Sequence, residues 1–213
     1  MAGGTARRIL SRQGVRRIGT LFLLAVLSAP GPASAGEPTN QIRGAIDRGI
    51  AILQRPDLKA KEKREVRREA LRKEMFPSFY FEEMAKRSLG VHWKDRTPRE
   101  REEFTGLFRD LLENAYAVKI EGYNGERILY RKESVDPPYA EVNTVIVTMQ
   151  GDEVTVDYRV LKDGARWRIY DIVIEGVSLV NNYRSQFAGI LQKSSYPELV
   201  KRLKSTIRQQ EKG

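Results

Sequence analysis

Between Arg127 and Glu175 apolar and polar residues alternate with a period of two, while the apolar positions on either side recur every three or four residues. Ile128 to Val135, Glu141 to Met149, Val154 to Leu161 and Arg166 to Glu175 therefore read as four strands. Asp136-Pro137-Pro138, Gln150-Gly151-Asp152 and Lys162-Asp163-Gly164 supply the turns, and connections this short make neighbours antiparallel. The third strand sets Val154, Val156, Tyr158 and Val160 on one side and Thr155, Asp157 and Arg159 on the other. The fourth breaks the rule: Ile172, Val173 and Ile174 offer apolar side chains to both faces, as a strand covered on both sides does.

Helical spacing frames this meander. Ile42, Ile46, Gly49, Ile50 and Leu53 share a face until Pro56 stops the pattern, and Asp57 is placed to cap the next helix. Leu58, Val66, Ala70, Leu71 and Met75 form a thin stripe through the charged run KAKEKREVRREALRK. Glu62, Glu65 and Glu69 are interleaved with its bases, the pattern of a solvated face, although Lys63, Arg67 and Arg68 also offer a basic docking surface. Phe76, Phe79, Tyr80, Phe81, Met84 and Leu89 crowd a short helical stretch ending at Gly90. Thr97-Pro98-Arg99-Glu100 is a capping box with proline in the first turn, and Phe104, Leu107, Phe108, Leu111, Leu112, Ala115 and Val118 follow it at helical spacing. After the strands, Ser178 opens a helix carrying Leu179, Val180, Tyr183, Phe187, Ile190 and Leu191, and Ser195 opens the last. The fold class is α+β: a four-stranded antiparallel meander packed with helices from both ends of the chain, with the helices covering a sheet face.

Charge first suggests a polyanion partner, with 38 basic against 28 acidic residues and a formal charge of +10. The amino terminus changes that picture. Arg7, Arg8, Arg12, Arg16 and Arg17 precede the apolar run Leu21 to Leu27, which ends in Pro30, Pro32 and the small-residue site Ala33-Ser34-Ala35. This pattern is that of a signal peptide over residues 1–35, cleaved before Gly36, for general secretion or, on the paired arginines, twin-arginine export. Five arginines and no acidic residue leave with it, so 33 basic face 28 acidic residues and +10 becomes +5. Nucleic acid is thereby disfavoured as a partner. With no cysteine in the chain, residues 36–213 are expected to form a single periplasmic domain held by its core alone.

Catalytic chemistry is sparse. His92 stands alone, without cysteine, so no transition-metal site of the usual ligands is expected, and no phosphate loop, nucleophile elbow or calcium loop is present. Asp157, Asp171 and Glu175 lie in strands, where pairing with Arg159 or Arg168 is the plain reading. A cone-shaped isomerase would instead set Asp171 with Tyr158 or Tyr170 in an apolar pocket. The chain is expected not to be an enzyme, with that isomerase and a non-catalytic envelope scaffold as the alternatives.

Trp167 to Phe187, WRIYDIVIEGVSLVNNYRSQF, resembles the signature of the MlaC, or toluene-tolerance, family of periplasmic phospholipid-binding proteins, and MAKRSLGVHW followed by FTGLFRDLLENAYA resembles its helical half. The likeness runs from about Gln41 to Ile207. It implies an apolar lipid cavity in a fold like the NTF2 cone, a phospholipid as cargo and no cofactor. It further implies shuttling between an outer-membrane lipoprotein complex and an inner-membrane ABC transporter complex with its substrate-binding-domain subunit, so that the outer membrane keeps its lipid asymmetry. On that reading the lipid touches Phe79, Met84, Phe104, Phe108, Leu111 and Tyr116 from the helical half. Val145, Val147, Val156, Tyr158, Ile172, Ile174 and Val177 line it from the sheet, and Val180, Tyr183 and Phe187 close it from the helix that follows. Val145 and Val147 are expected to share a face with Val156 and Tyr158, and the headgroup is expected to stay in water. An ordinary filled core is the competing account of the same residues.

Overall fold

The computed structural model describes residues 36–210, and the signal-peptide reading falls outside them. The first helix, α1 (Glu37–Leu53), buries Ile42, Ala45 and Ile52. Pro56 ends the pattern, and two single helical turns follow before α2 (Arg64–Met75). Asp57 does not cap α2; its carboxylate accepts hydrogen bonds from the Arg55 guanidinium instead. Then come α3 (Phe81–Leu89) and α4 (Pro98–Glu121). The expected capping box opens α4: the Thr97 hydroxyl accepts from Glu100 N at 3.2 Å, and Thr97 N donates to the Glu100 carboxylate at 2.8 Å. After the strands, α5 (Leu179–Leu191) starts at Ser178, whose hydroxyl accepts from Asn181 N, and α6 (Tyr196–Gln210) ends the described chain. Among the described residues no helix is long and apolar enough to cross a membrane.

The sheet is an antiparallel meander of β1 (Arg127–Asp136), β2 (Tyr139–Val147), β3 (Glu153–Asp163), β4 (Arg166–Ile174) and a short β5 (Val177–Ser178). It therefore has five strands rather than four. Glu175 (φ 49°) and Gly176 (φ 76°) form a two-residue connection in which both residues have positive φ. That geometry twists the chain straight back, so that Val177 pairs with Ile174 and Ser178 with Val173 before α5 begins. Glycine carries its share of this without strain.

Two apolar clusters build the molecule. One lies on the sheet face carrying Val142, Val156, Tyr158, Val160, Trp167 and Ile169, with Ile42 of α1 laid across it. The other joins α3 to α6 around Phe104 and Phe108, both 0% exposed. Half-buried Phe79 packs against both.

The double-sided β4 now has its cause. The β3–β4 register shifts at Arg159/Val160, pairing Arg159 with Asp171 and Val160 with Ile169, so that Tyr170 is the extra residue of a bulge. Ile169 and Ile172, three apart, both fall on the α1 side, while Asp171 and Val173 fall on the opposite side, where Asp171 accepts from Val180 N of α5.

Candidate functional site

The lipid-contact residues expected from sequence divide between the clusters. Met84, Phe104, Phe108, Leu111, Val180 and Phe187 are buried in the helical one, with Tyr116 and Tyr183 packed against it. Stacked and edge-on rings fill that space, with Phe108 5.4 Å from Tyr183 and 5.9 Å from Phe187 between centroids. Val156 and Tyr158 are buried on the sheet face, Ile172 packs beside them, and Ile174 pairs with Val156. Val145 and Val147 do not join them. They pair with Thr155 and Glu153, so they lie on the opposite face from Val156 and Tyr158. Val177 is 54% exposed on the hairpin turn.

An apolar cavity of about 80 Å³ opens elsewhere, between α2 and the last turns of α4. Leu71, Met75, Phe76, Phe79, Ala117 and Ile120 line it, and Arg68, Arg72, Glu113 and Glu121 stand around it. Of the lipid contacts expected from sequence, Phe79 is the one that reaches it. The apolar stripe of α2 had pointed to Leu71 and Met75, but nothing local paired them with Ala117 and Ile120.

Ion pairs close this seam. Glu121, the last residue of α4, receives Arg68 at 2.8 Å, Arg64 at 3.3 Å and Arg67 at 3.7 Å, and Glu113 receives Arg72 at 2.7 Å. Arg67 and Arg68 keep only 13% and 12% of their side-chain surface exposed, so they are not the free docking surface that the charged run suggested. Burial pushes the Glu113 carboxyl above its ordinary range, with Arg72 opposing the shift. A second, open cleft of about 450 Å³ runs between α1 and β1, lined by Arg43, Asp47, Ile50 and residues 128–131. Arg43 lies over the Tyr130 ring there, 4.5 Å from its centroid.

The structure does not bring Asp171 and Tyr158 together, because they lie on opposite faces of the sheet. Asp171 is 4% exposed and fully engaged. Its carboxylate accepts from Ser178 Oγ at 2.6 Å, Val180 N at 3.1 Å and Arg159 Nη1 at 3.2 Å, which fastens the start of α5 to the sheet. Tyr170 stacks instead beneath Arg87, 4.2 Å from the guanidinium carbon. Among the described residues no group of three or more His, Cys, Asp or Glu side chains is placed to hold a metal ion.

Comparison with known proteins agrees with this architecture. The MlaC protein family model matches residues 43–205. The chain belongs to the MlaC family. It is 24% identical over 195 residues to the intermembrane phospholipid transport system binding protein MlaC of Haemophilus influenzae, covering 89% of this chain and 91% of that protein. A phospholipid-binding protein from Ralstonia solanacearum, solved in complex with a phospholipid, superposes with a TM-score of 0.74 at 25% identity. That match covers 83% of this chain and 99% of the solved one. The family match therefore spans nearly all the described residues, α2 and α4 included.

Proposed function

We propose that this protein is a periplasmic carrier that holds a phospholipid by its acyl chains and moves it between the outer membrane and an inner-membrane ABC transporter complex, maintaining outer-membrane lipid asymmetry. The observation that carries this reading is the fold shared with a solved protein that holds a phospholipid. The naming of the Haemophilus relative as part of an intermembrane phospholipid transport system supports the partners, an outer-membrane lipoprotein complex and the transporter's substrate-binding-domain subunit. On this reading the protein makes and breaks no covalent bond, and the sheet and α1 form a cone of the NTF2-like kind.

Physics makes such a carrier necessary and constrains how it works. Each buried methylene gains about 0.8 kcal/mol, so two chains of roughly thirty methylenes represent on the order of 20 kcal/mol that water opposes. Only a dry cavity transports them. The seam cavity of about 80 Å³ has room for no more than a fragment of one chain, so loading requires α2 and α4 to part and the apolar floor to open towards Phe79 and the sheet. Side chains, rather than close backbone contact, join α2 to α4, whereas α3 packs closely on α4 and α5 and α4 packs closely on α6. On this reading the seam, joined by side chains, is the place where the cavity widens.

Mass spectrometry of an organic extract of the purified protein tests the reading. Two-chain phospholipid in near-stoichiometric amount is expected. A gently purified protein that yields none, and takes none from vesicles, overturns it.

A further inference from the structure

We propose that Glu133 is a docking site for the chain's own amino terminus: the α-amino group freed at Gly36 when residues 1–35 are removed pairs with the Glu133 carboxylate and fastens α1 to β1. The docking is independent of lipid carriage and rests on the export reading of the amino-terminal segment.

α1 starts without a cap of its own. Gly36 occupies the N-cap position and offers no side chain, so the first amides of the helix need an acceptor from elsewhere. Glu133 supplies it from 94 residues away in the chain: Oε2 accepts from Thr39 N at 2.8 Å and from Thr39 Oγ1 at 2.5 Å. Its ladder partner is Val142, which is buried beneath α1, so Glu133 lies on the sheet face that the helix covers.

The other carboxylate oxygen is aimed at Gly36. A β-carbon on that residue would stand 1.8 Å from Oε1, far inside contact, so a side chain fits there only if the carboxylate moves. Gly36 has φ −67° and ψ 175°, a backbone open to any residue, and this contact rather than conformation is what calls for glycine. By ordinary bond lengths its nitrogen lies within roughly 4 Å of Oε1, which is ion-pair reach. No described cation fills that role. Arg131 pairs with Glu153, Lys162 pairs with Glu37, Arg43 lies over Tyr130, and Lys132 falls on the opposite face of the sheet. An ammonium at Gly36 supplies the charge, and Ala33-Ser34-Ala35 puts the cut where it creates one. The helix dipole favours the carboxylate but opposes the ammonium, which holds the net gain to several-fold.

The test compares chain 36–213 with chain 34–213, which keeps Ser34 and Ala35 and so carries its amine two residues away from the site. Both contain every described residue. Urea unfolding at pH 7 and low salt is expected to give the shorter chain a folded-to-unfolded ratio about three- to tenfold higher, a gap that closes at about 1 M salt. In Glu133→Gln, which keeps an acceptor for Thr39, the two chains are expected to match. Gly36→Ala keeps the amine but displaces the carboxylate, and it closes the gap too; it decides the matter should the glutamine variant fail to fold. Equal stability of the two wild-type chains overturns the docking. So does a gap that survives in these variants or in high salt, because the two extra residues then cause it directly. The intact mass of protein secreted from the full chain tests the export reading separately. A start at Gly36 is expected, and a start elsewhere, or no cut, overturns the docking through that reading even where the gap is present.

Discussion

The helical cluster and the α2–α4 seam are built from the same kinds of residue and do opposite things. Around Phe104 and Phe108 the rings of three helices interlock, Leu199 is 0% exposed, and the helix backbones lie close together. At the seam, Leu71, Met75 and Phe76 face Ala117 and Ile120 across a small void, and long arginines span the gap. Interlocked rings have one good arrangement, and moving any of them costs contacts on all sides. An apolar gap bridged by ion pairs has a second arrangement within reach, because its floor gains little from closing and its polar bridges accept other partners. On the proposed carrier reading, the difference separates the part of the molecule that keeps it folded from the part that opens.

The largest effect that separates the two regions comes from the filled one. Phe108→Ala removes a wholly buried ring packed against Phe104, Tyr183 and Phe187 and should cost about 3–5 kcal/mol. For a domain of this size that lowers the melting temperature by on the order of 10 °C. Lipid bound per folded molecule should change little. A melting temperature within a degree or two of wild type, together with lost lipid, would show that Phe108 lines the lipid site and that the helical cluster is no filled core.

Much of this was legible in the chain. The capping box at Thr97, the Ser178 cap, the four long strands and the Ile42–Ile46 stripe each depend on neighbours within a turn or two, and each stands where the sequence places it. The failures were of longer range. Val145 and Val147 alternate as well as Val142 does, but the chain reverses over residues 148–152 so that Val147 meets Glu153, and a shift of one residue decides which face a whole strand shows. The fifth strand hid in a two-residue turn whose Glu175 adopts positive φ. The seam was invisible because its pairs lie far apart, Arg68 with Glu121 and Arg72 with Glu113, whereas the chain displays only their local partners Glu65 and Glu69.

A smaller effect sets the sheet cluster against the helical one through their tyrosines. Burial pushes the Tyr130 hydroxyl up to about 12, with Asp47 adding to the shift, and raises Tyr158 further still. A folded-state value above the ordinary 10 means that the native protein holds its proton after the unfolded chain has lost it. That contribution is present in full below pH 10 and is lost as pH rises from 10 towards 12. In the helical cluster Tyr196 is also pushed up to about 12, but its hydroxyl donates to the Glu100 carbonyl at 3.1 Å, whereas the Tyr130 hydroxyl is buried without an aligned partner. Tyr130→Phe should therefore be neutral or slightly stabilising at pH 7 and should lessen the alkaline loss, while Tyr196→Phe should cost about 1 kcal/mol at pH 7. Urea midpoints at pH 7, 10, 11 and 12 check both. A destabilised Tyr130→Phe at pH 7 would reveal a hydrogen bond that the sheet cluster relies on.

The smallest expected change in stability is also the sharpest test of the seam. Ala117 is 7% exposed on α4 and faces the cavity of about 80 Å³, so Ala117→Leu extends three carbons into space that Leu71, Met75 and Phe76 leave open. In a filled core such an enlargement costs about 1–3 kcal/mol through displaced neighbours. Here the added apolar surface occupies a void, and the two effects should cancel to within about 1 kcal/mol. Carriage should suffer nonetheless, because the leucine narrows the path by which chains pass between α2 and α4. Vesicle-to-vesicle transfer of a fluorescent phospholipid is expected to fall severalfold at an unchanged melting temperature. Transfer at the wild-type rate would place the route for the chains away from the seam, and a strongly destabilised variant would mean that α2 and α4 meet as tightly as the helices around Phe108.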